Sequence, residues 1–101
     1  MKVKRIRIYL GHNNETKNAF LKGDVINFFN EYLEGYTIIK TDGLYKGTME
    51  ESYVIEYLQM GFAQYDRYMS EIGFYKNMIK DAEKYFEQES ILWTIDEVEM
   101  M

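Results

Sequence analysis

Six patterned segments in the order strand, helix, strand, strand, helix, strand predict an α+β fold with two layers. Four short stretches alternate apolar and polar residues with the period of two that strands require, and two longer stretches repeat apolar residues at helical spacing. The chain has 101 residues, which is enough for one two-layer core but not for two. The simplest arrangement is a ferredoxin-like βαββαβ sandwich, in which a four-stranded antiparallel sheet carries both helices on one face. We therefore expect residues 1–101 to form a single domain.

The first half of the chain contains a strand, a helix and a second strand. Residues 3–10 alternate in the manner of a half-buried strand, and loop residues follow. Apolar side chains then recur at helical spacing over about residues 20–34, and Gly35 stands where a left-handed C-terminal cap belongs. Asp24 is an alternative start for this helix, as its N-cap. Residues 36–41 are predicted to form the second strand.

The connection between the second and third strands can be drawn in two ways. Asp42-Gly43 is a strong hairpin signal, but the second strand can instead continue past a glycine bulge and turn at residues 46–50. We expect the later turn. The third strand then covers residues 51–58, the longest helix about residues 64–87 and the last strand residues 91–98.

The predicted topology brings loops that are distant in sequence to one end of the sheet. Right-handed crossovers put strands 1 and 3 in the centre, so the loop after strand 1, the hairpin and the turn before strand 4 emerge together. The polar residues there form a candidate site beside a helix N-terminus, which suits an anionic or nucleotide-like ligand. Its members are His12, Asn13, Asn14, Thr16, Lys17, Lys46, Gln88 and Ser90. Polar residues also collect at the loop ends of domains that have no such site.

The sheet face opposite the helices is the second candidate surface. We expect it to carry Arg5, Arg7 and Tyr9 from strand 1 beside Val54 and Glu56 from strand 3, with one arginine paired to Glu56. An open face with apolar and aromatic residues is usually covered by a second copy or by another partner. The prediction is therefore a homo-oligomer with these five residues in its interface.

Composition argues against several classes of function. The formal net charge is −5, and nucleic-acid binding through phosphate neutralisation needs a surplus of Lys and Arg. The chain has no cysteine and one histidine, so neither a disulfide nor a structural zinc site is expected, and no phosphate-loop or dinucleotide motif implies a cofactor. No stretch is long and apolar enough for a signal peptide or a membrane span, so we expect a cytoplasmic protein.

His12 is a weak candidate for catalysis. A general base needs a nucleophile and an orienting carboxylate within hydrogen-bond reach. Thr16, Ser90 and Glu89 are expected at the same end, but their spacing defines no triad. Hydrogen bonding to a ligand, or plain loop polarity, explains His12 more simply. The acidic runs at residues 50–51 and 96–99 lack the spacing of a calcium loop and are expected to be solvated strand ends.

Five short motifs occur in order along nearly the whole chain. They are Tyr9-Leu10-Gly11, Gly35-Tyr36-Thr37, Gly43-Leu44-Tyr45, Ser52-Tyr53-Val54-Ile55-Glu56-Tyr57 and Phe86-Glu87-Gln88-Glu89-Ser90-Ile91-Leu92. Together they resemble an uncharacterised bacterial and phage family of small domains of unknown function, with Phe-x-Gln-Glu-Ser the most specific motif. Tyr45 departs from the pattern, since the family tends to have Trp there. The resemblance implies the ferredoxin-like fold and offers one analogy for function, the small phage proteins that disarm bacterial defence.

Three functional hypotheses follow, in order of preference. The first is a non-enzymatic, oligomeric binding protein that captures an anionic or nucleotide-like ligand at the loop end, as a phage anti-defence protein would. The alternative is an inhibitor that occupies a host protein with an acidic surface rich in tyrosine, of which the chain has ten. The third is a small enzyme that uses His12.

Overall fold

The computed structural model describes residues 2–13, 19–59 and 71–100 and confirms the α+β, ferredoxin-like prediction. The elements follow in the predicted order: β1 (Lys2–Leu10), α1 (Lys22–Phe29), β2 (Thr37–Tyr45), β3 (Thr48–Gln59), α2 (Glu71–Tyr85) and β4 (Leu92–Glu99). The strands make one sheet in the order β2-β3-β1-β4, and all neighbouring pairs are antiparallel. β1 and β3 are therefore the central strands, as the crossover argument predicts.

One face of the sheet forms the core together with the helices. Ile6 and Ile8 of β1 are fully buried, and the register sets Ile8 opposite Ile55 of β3, which is also fully buried. Because side chains alternate along a strand, Arg5 and Arg7 lie on the opposite face. The helices contribute Val25, Phe28, Phe29, Tyr75, Met78, Ile79 and Ala82 to the same cluster. Full burial of one large aliphatic side chain contributes about 1.5–3 kcal/mol, so this layer is the main source of stability.

Aromatic side chains join the two helices. The ring of Phe28 lies 5.2 Å from that of Tyr85, centroid to centroid. Tyr32, in the turn after α1, lies 6.4 Å from Phe74, and its hydroxyl donates a hydrogen bond to the carboxylate of Asp81 on α2. Burial, and then the hydrogen bond to this carboxylate, raise the pKa of Tyr32 to about 12.

The predicted start of α1 at residue 20 and the alternative cap at Asp24 are both wrong. Leu21 is the N-cap and makes no side-chain capping bond, while Asp24 lies in the first turn. A carboxylate there still interacts favourably with the N-terminal end of the helix dipole. Charge therefore takes the place of a capping hydrogen bond at this end.

The end of α1 also differs from the prediction. The backbone N–H of Tyr32 bonds to the carbonyl of Phe29 three residues back, so the chain leaves the helix in a tight turn. Leu33 is nevertheless buried, and its burial explains why the apolar spacing runs past the last helical residue. The backbone of Gly35 lies outside the left-handed region, so the predicted glycine cap is wrong.

The hairpin between β2 and β3 confirms the later of the two predicted turns. Lys46 (φ 50°) and Gly47 (φ 78°) both have left-handed backbone, the combination of a type I′ two-residue turn. The strands pair without interruption from Thr37 opposite Glu56 to Tyr45 opposite Thr48, so the predicted glycine bulge is wrong. β3 accordingly starts at Thr48 and not at residue 51.

The predicted start of the second helix, at residue 64, lies outside the described residues. Within them, α2 covers Glu71–Tyr85, and Tyr75 and Met78 are fully buried, which confirms their predicted place in the core. The last strand begins and ends one residue later than the sequence pattern indicates, at Leu92–Glu99.

Replacing Gly47 by alanine should destabilise the protein. A Cβ at Gly47 would meet nothing within 4 Å, so the cost is that of left-handed backbone in an L-residue, about 1–2 kcal/mol. Gly35→Ala is the matched control, because it has the same open space without the left-handed backbone, and it should be neutral or slightly stabilising. Chemical denaturation measures both variants, and equal free energies of unfolding would contradict the turn assignment.

The contribution of Tyr32 to stability should disappear at alkaline pH. Because folding raises its pKa from 10.0 to about 12, the contribution is fully present below pH 10 and is lost as the pH rises towards 12. Between about pH 9 and about pH 11, wild type should lose about 1 kcal/mol more stability than Tyr32→Phe, after allowance for partial exposure. The Asp81→Asn variant should still lose part of this stability at alkaline pH, since burial contributes more than Asp81 to the raised pKa of Tyr32. Parallel pH curves for wild type and Tyr32→Phe would contradict the assignment.

Candidate functional site

Three elements meet at the end of the sheet where β1 ends. The side-chain amide of Gln88, in the turn between α2 and β4, donates to the backbone carbonyl of His12 at 3.1 Å and to that of Phe86 at 3.3 Å. Nε2 of His12 lies 3.3 Å from Oε1 of Glu50 on β3. We call His12, Glu50 and Gln88 the rim cluster. Its members come from distant parts of the sequence, as the predicted topology requires.

The position of Gln88 follows from the way α2 ends. The backbone N–H of Gln88 donates to the carbonyl of Glu83 at 2.8 Å and that of Glu87 donates to Lys84 at 3.3 Å, the two bonds of a Schellman motif. Glu87 is the left-handed residue of this motif, with φ of 53°. The chain therefore reverses directly after the helix. A glycine at position 11 fits the close approach that results, since a Cβ on Gly11 would lie 2.8 Å from Oε1 of Gln88.

The His12–Glu50 pair is the chemically most versatile part of the rim cluster. The imidazole is largely enclosed, with 16% of its side chain exposed, whereas Glu50 keeps 36% and can be reached from solvent. Nδ1 of His12 lies 3.1 Å from the carbonyl oxygen of Asn13, while Nε2 faces the carboxylate. Both oxygens are acceptors, so only the doubly protonated ring donates to both at once. Such a pair can bind a ligand through hydrogen bonds or transfer a proton.

Carboxylates are prominent at this end of the sheet. Glu83 accepts a hydrogen bond from the backbone N–H of Ile91 at 3.1 Å, which fixes the chain just before β4. Glu87 and Glu89 flank Gln88 in sequence. Together with Glu50, they make the surroundings acidic and favour a neutral or cationic ligand over a phosphate.

The structure brings together three of the predicted ligand residues. His12 and Gln88 share a hydrogen bond, and Asn13 contacts the ring of His12 through its carbonyl. Ser90 lies between Gln88 and β4 along the chain. Asn14, Thr16 and Lys17 lie outside the described residues.

Lys46 lies in the turn between β2 and β3. Leu10, near the end of β1, is level with Tyr53, and the pairing of β2 with β3 continues to Thr48. The step of five residues along β3, from Tyr53 to Thr48, spans about 17 Å. Lys46 is therefore at the tip of a hairpin that projects beyond the end of β1, with Glu50 between that tip and the level of Leu10.

Glu50 is a functional candidate that the sequence analysis did not single out. Its place beside Glu51 suggested a solvated strand end, but the 3.3 Å contact with His12 shows a specific partner. The signal that identifies it is the turn at Lys46-Gly47. Once that turn fixes the hairpin register, Glu50 lies between the tip and the level of Leu10, within reach of the residues after β1.

The face turned away from the helices, here called the open face, carries two arginine–carboxylate pairs. Nε of Arg7 donates to Oε2 of Glu56 at 2.9 Å, which confirms the predicted cross-strand pair. Arg5 donates to both carboxylate oxygens of Asp96 on β4, at 3.0 and 2.5 Å. The hydrogen bond from Arg5 holds the pKa of Asp96 below its usual value. Sequence spacing missed Asp96 because it does not reveal the register that places it beside Arg5.

Two of the open grooves that the described residues line are on the helical side of the molecule. One, of about 450 Å³, is lined by Asn27, Phe28, Glu31, Asp81, Lys84 and Tyr85, and the other, of about 550 Å³, lies between α1 and β2. The rim cluster lines neither of them.

In residues 2–13, 19–59 and 71–100, no three acidic or histidine side chains come close enough to hold a metal ion. Within the same ranges, no helix combines the length and apolar character needed to cross a membrane.

Comparison with known proteins shows a shared fold. No family model and no curated protein matches the chain, so the resemblance to a family of small domains has no matching model. The chain is similar to a phage SAM lyase solved in complex with S-methyl-5′-thioadenosine, with 19% sequence identity and a TM-score of 0.63 over 94% of this chain and 81% of that chain. It is also similar to a phage SAM lyase in the apo state, with 19% identity and a TM-score of 0.63 over 95% and 81% of the two chains. The chain therefore has the fold of these phage enzymes.

Proposed function

We propose that this protein binds an adenosine-type ligand, S-adenosylmethionine (SAM) or a related nucleoside, at the rim cluster. The observation that carries the proposal is the His12–Glu50 pair, whose nitrogen and oxygen lie 3.3 Å apart at the loop end of the sheet. The likeness in fold to a phage SAM lyase with S-methyl-5′-thioadenosine bound supports this class of ligand.

The rim cluster offers groups that suit a nucleoside without phosphates. A carboxylate such as Glu50 can accept hydrogen bonds from ribose hydroxyls, as acidic residues do in dinucleotide sites. The neighbouring carboxylates disfavour a phosphate and favour the cationic sulfonium group of SAM. Of the anionic or nucleotide-like ligands that the sequence suggests, the nucleoside is therefore the one we propose.

The proposed role is that of a phage-type anti-defence protein in the cytoplasm of a bacterial host. A protein that binds a SAM-like nucleoside withholds it from host enzymes that need it. Self-association belongs to the same proposal. The open face, with Arg5, Arg7, Tyr9, Val54 and Glu56, is the surface through which copies of the chain would meet.

Catalysis on SAM is the second candidate function, because both similar structures are SAM lyases. His12 would then act as the group that transfers a proton, with Glu50 to orient the ring. Formation of S-methyl-5′-thioadenosine from SAM would distinguish this enzyme from a protein that only binds.

Isothermal titration calorimetry should detect binding of SAM and S-methyl-5′-thioadenosine, and weaker binding of ATP because of its phosphates. Glu50→Gln should raise the Kd at least about tenfold, since a hydrogen bond to a charged group contributes about 1.5–3 kcal/mol. His12→Ala should weaken binding as well. Circular dichroism checks that both variants remain folded.

Glu51→Gln is the matched control for Glu50→Gln. This neighbouring carboxylate lies on the other side of β3, with Oε2 3.7 Å from Nζ of Lys40, and its loss should change the Kd less than about twofold. Tighter binding of ATP than of SAM would reject the nucleoside preference. An absence of heat with every adenosine compound would reject the function, and SAM cleavage that His12→Ala abolishes would establish the second candidate.

A further inference from the structure

The residues on the open face form rows across the sheet that are complementary to the same rows in a second copy rotated by 180°. Registered residues from all four strands form an apolar row, in sheet order Ile39, Val54, Tyr9 and Leu92. The adjacent row, in the same order, is Thr37, Glu56, Arg7 and Thr94. When a second copy faces the first across such a twofold axis, its strands run in the reverse order. In the first row, apolar residues of one copy then face apolar residues of the other. In the second row, threonine of one copy faces threonine of the other, and glutamate faces arginine.

We propose that two copies of the chain dock through the open face about a twofold axis parallel to the strands and between β1 and β3. This axis sets β1 of each copy over β3 of the other, and β2 over β4. Tyr9 then packs on Val54 of the second copy, and Ile39 packs on Leu92. Aligned sheets pack about 10 Å apart with their strands within about 30° of each other, so the pairs nearest the axis stay closest to this register.

Charge favours a second copy as the occupant of this face. The two ion pairs, Arg7–Glu56 and Arg5–Asp96, sum to zero, whereas the whole chain carries a formal charge of −5. Two copies therefore repel each other less through the open face than through an acidic surface. Docking also joins the two Arg7–Glu56 pairs into a ring of alternating sign, in which each ion gains a second opposite neighbour.

The exposed apolar row supplies the area that docking would bury. Tyr9, Ile39 and Leu92 are 38%, 41% and 66% exposed. Four strands about 4.8 Å apart, paired over the seven residues that join β1 to β3, make a face of about 19 by 24 Å. That is small for a specific interface, so the dimer should dissociate reversibly on dilution.

The inference rests on the proposed self-association but not on ligand binding. Light scattering after size exclusion should give twice the chain mass of 12.2 kDa at high concentration and fall towards 12.2 kDa on dilution. Leu92→Lys should give monomer at every concentration. Leu44→Lys is the matched control, because Leu44 is 73% exposed but lies on the other side of the sheet, and it should leave the dimer intact.

A charge-reversal pair tests the axis itself. Arg7→Glu alone and Glu56→Arg alone should each be monomeric, since each places like charges together across the axis. An equimolar mixture of the two folded variants should regain the dimer mass, because each chain supplies the charge that the other lacks. This rescue would not occur if the substitutions merely damaged the fold.

Three results would overturn the inference. A monomer at all concentrations would reject both self-association and the twofold dimer. A trimer or larger assembly would keep self-association and reject this axis. A dimer that survives Leu92→Lys but is lost in Leu44→Lys would place the interface on another surface.

Discussion

The antiparallel ladder between β1 and β3 is the constraint on which the rest of the structure depends. Its register sets Ile8 against Ile55 in the core and Arg7 against Glu56 on the open face. A slip of one residue would exchange the two faces of the strand and put arginines among the helices. In the same register, β1 ends opposite Tyr53, so that His12, two residues later, can contact Glu50 further along β3. The core, the open face and the rim cluster are therefore consequences of one alignment.

The order of the elements could be predicted from sequence because burial forces a period on the apolar residues. Ile6, Ile8 and Tyr75 are buried where that period places them. The ends of the elements are harder to predict, because burial and helical backbone do not stop at the same residue. Leu33 is buried in a turn beyond α1, so the apolar pattern overstates the length of that helix.

Left-handed backbone at Glu87 accounts for a further detail that sequence rules did not supply, the end of α2. Such positions usually carry glycine or asparagine, so a glutamate does not signal the helix end that it forms. In the candidate site, topology alone predicted that His12 and Gln88 would meet. Glu50 and Asp96 required the strand registers, which depend on pairings that no local pattern specifies.

The long β2–β3 hairpin gives the molecule an uneven distribution of rigidity. Beyond Tyr53, the described part of β1 offers the hairpin no third strand, and the Leu44–Met49 pair is exposed to solvent. An isolated two-stranded ribbon is at best marginally stable in water. Its tip should therefore fray while the centre of the sheet stays closed, and its amide protons should exchange through local opening. Glu50 lies within this arm, between Tyr53 and the turn, so bending of the arm would reposition the carboxylate without unfolding the core.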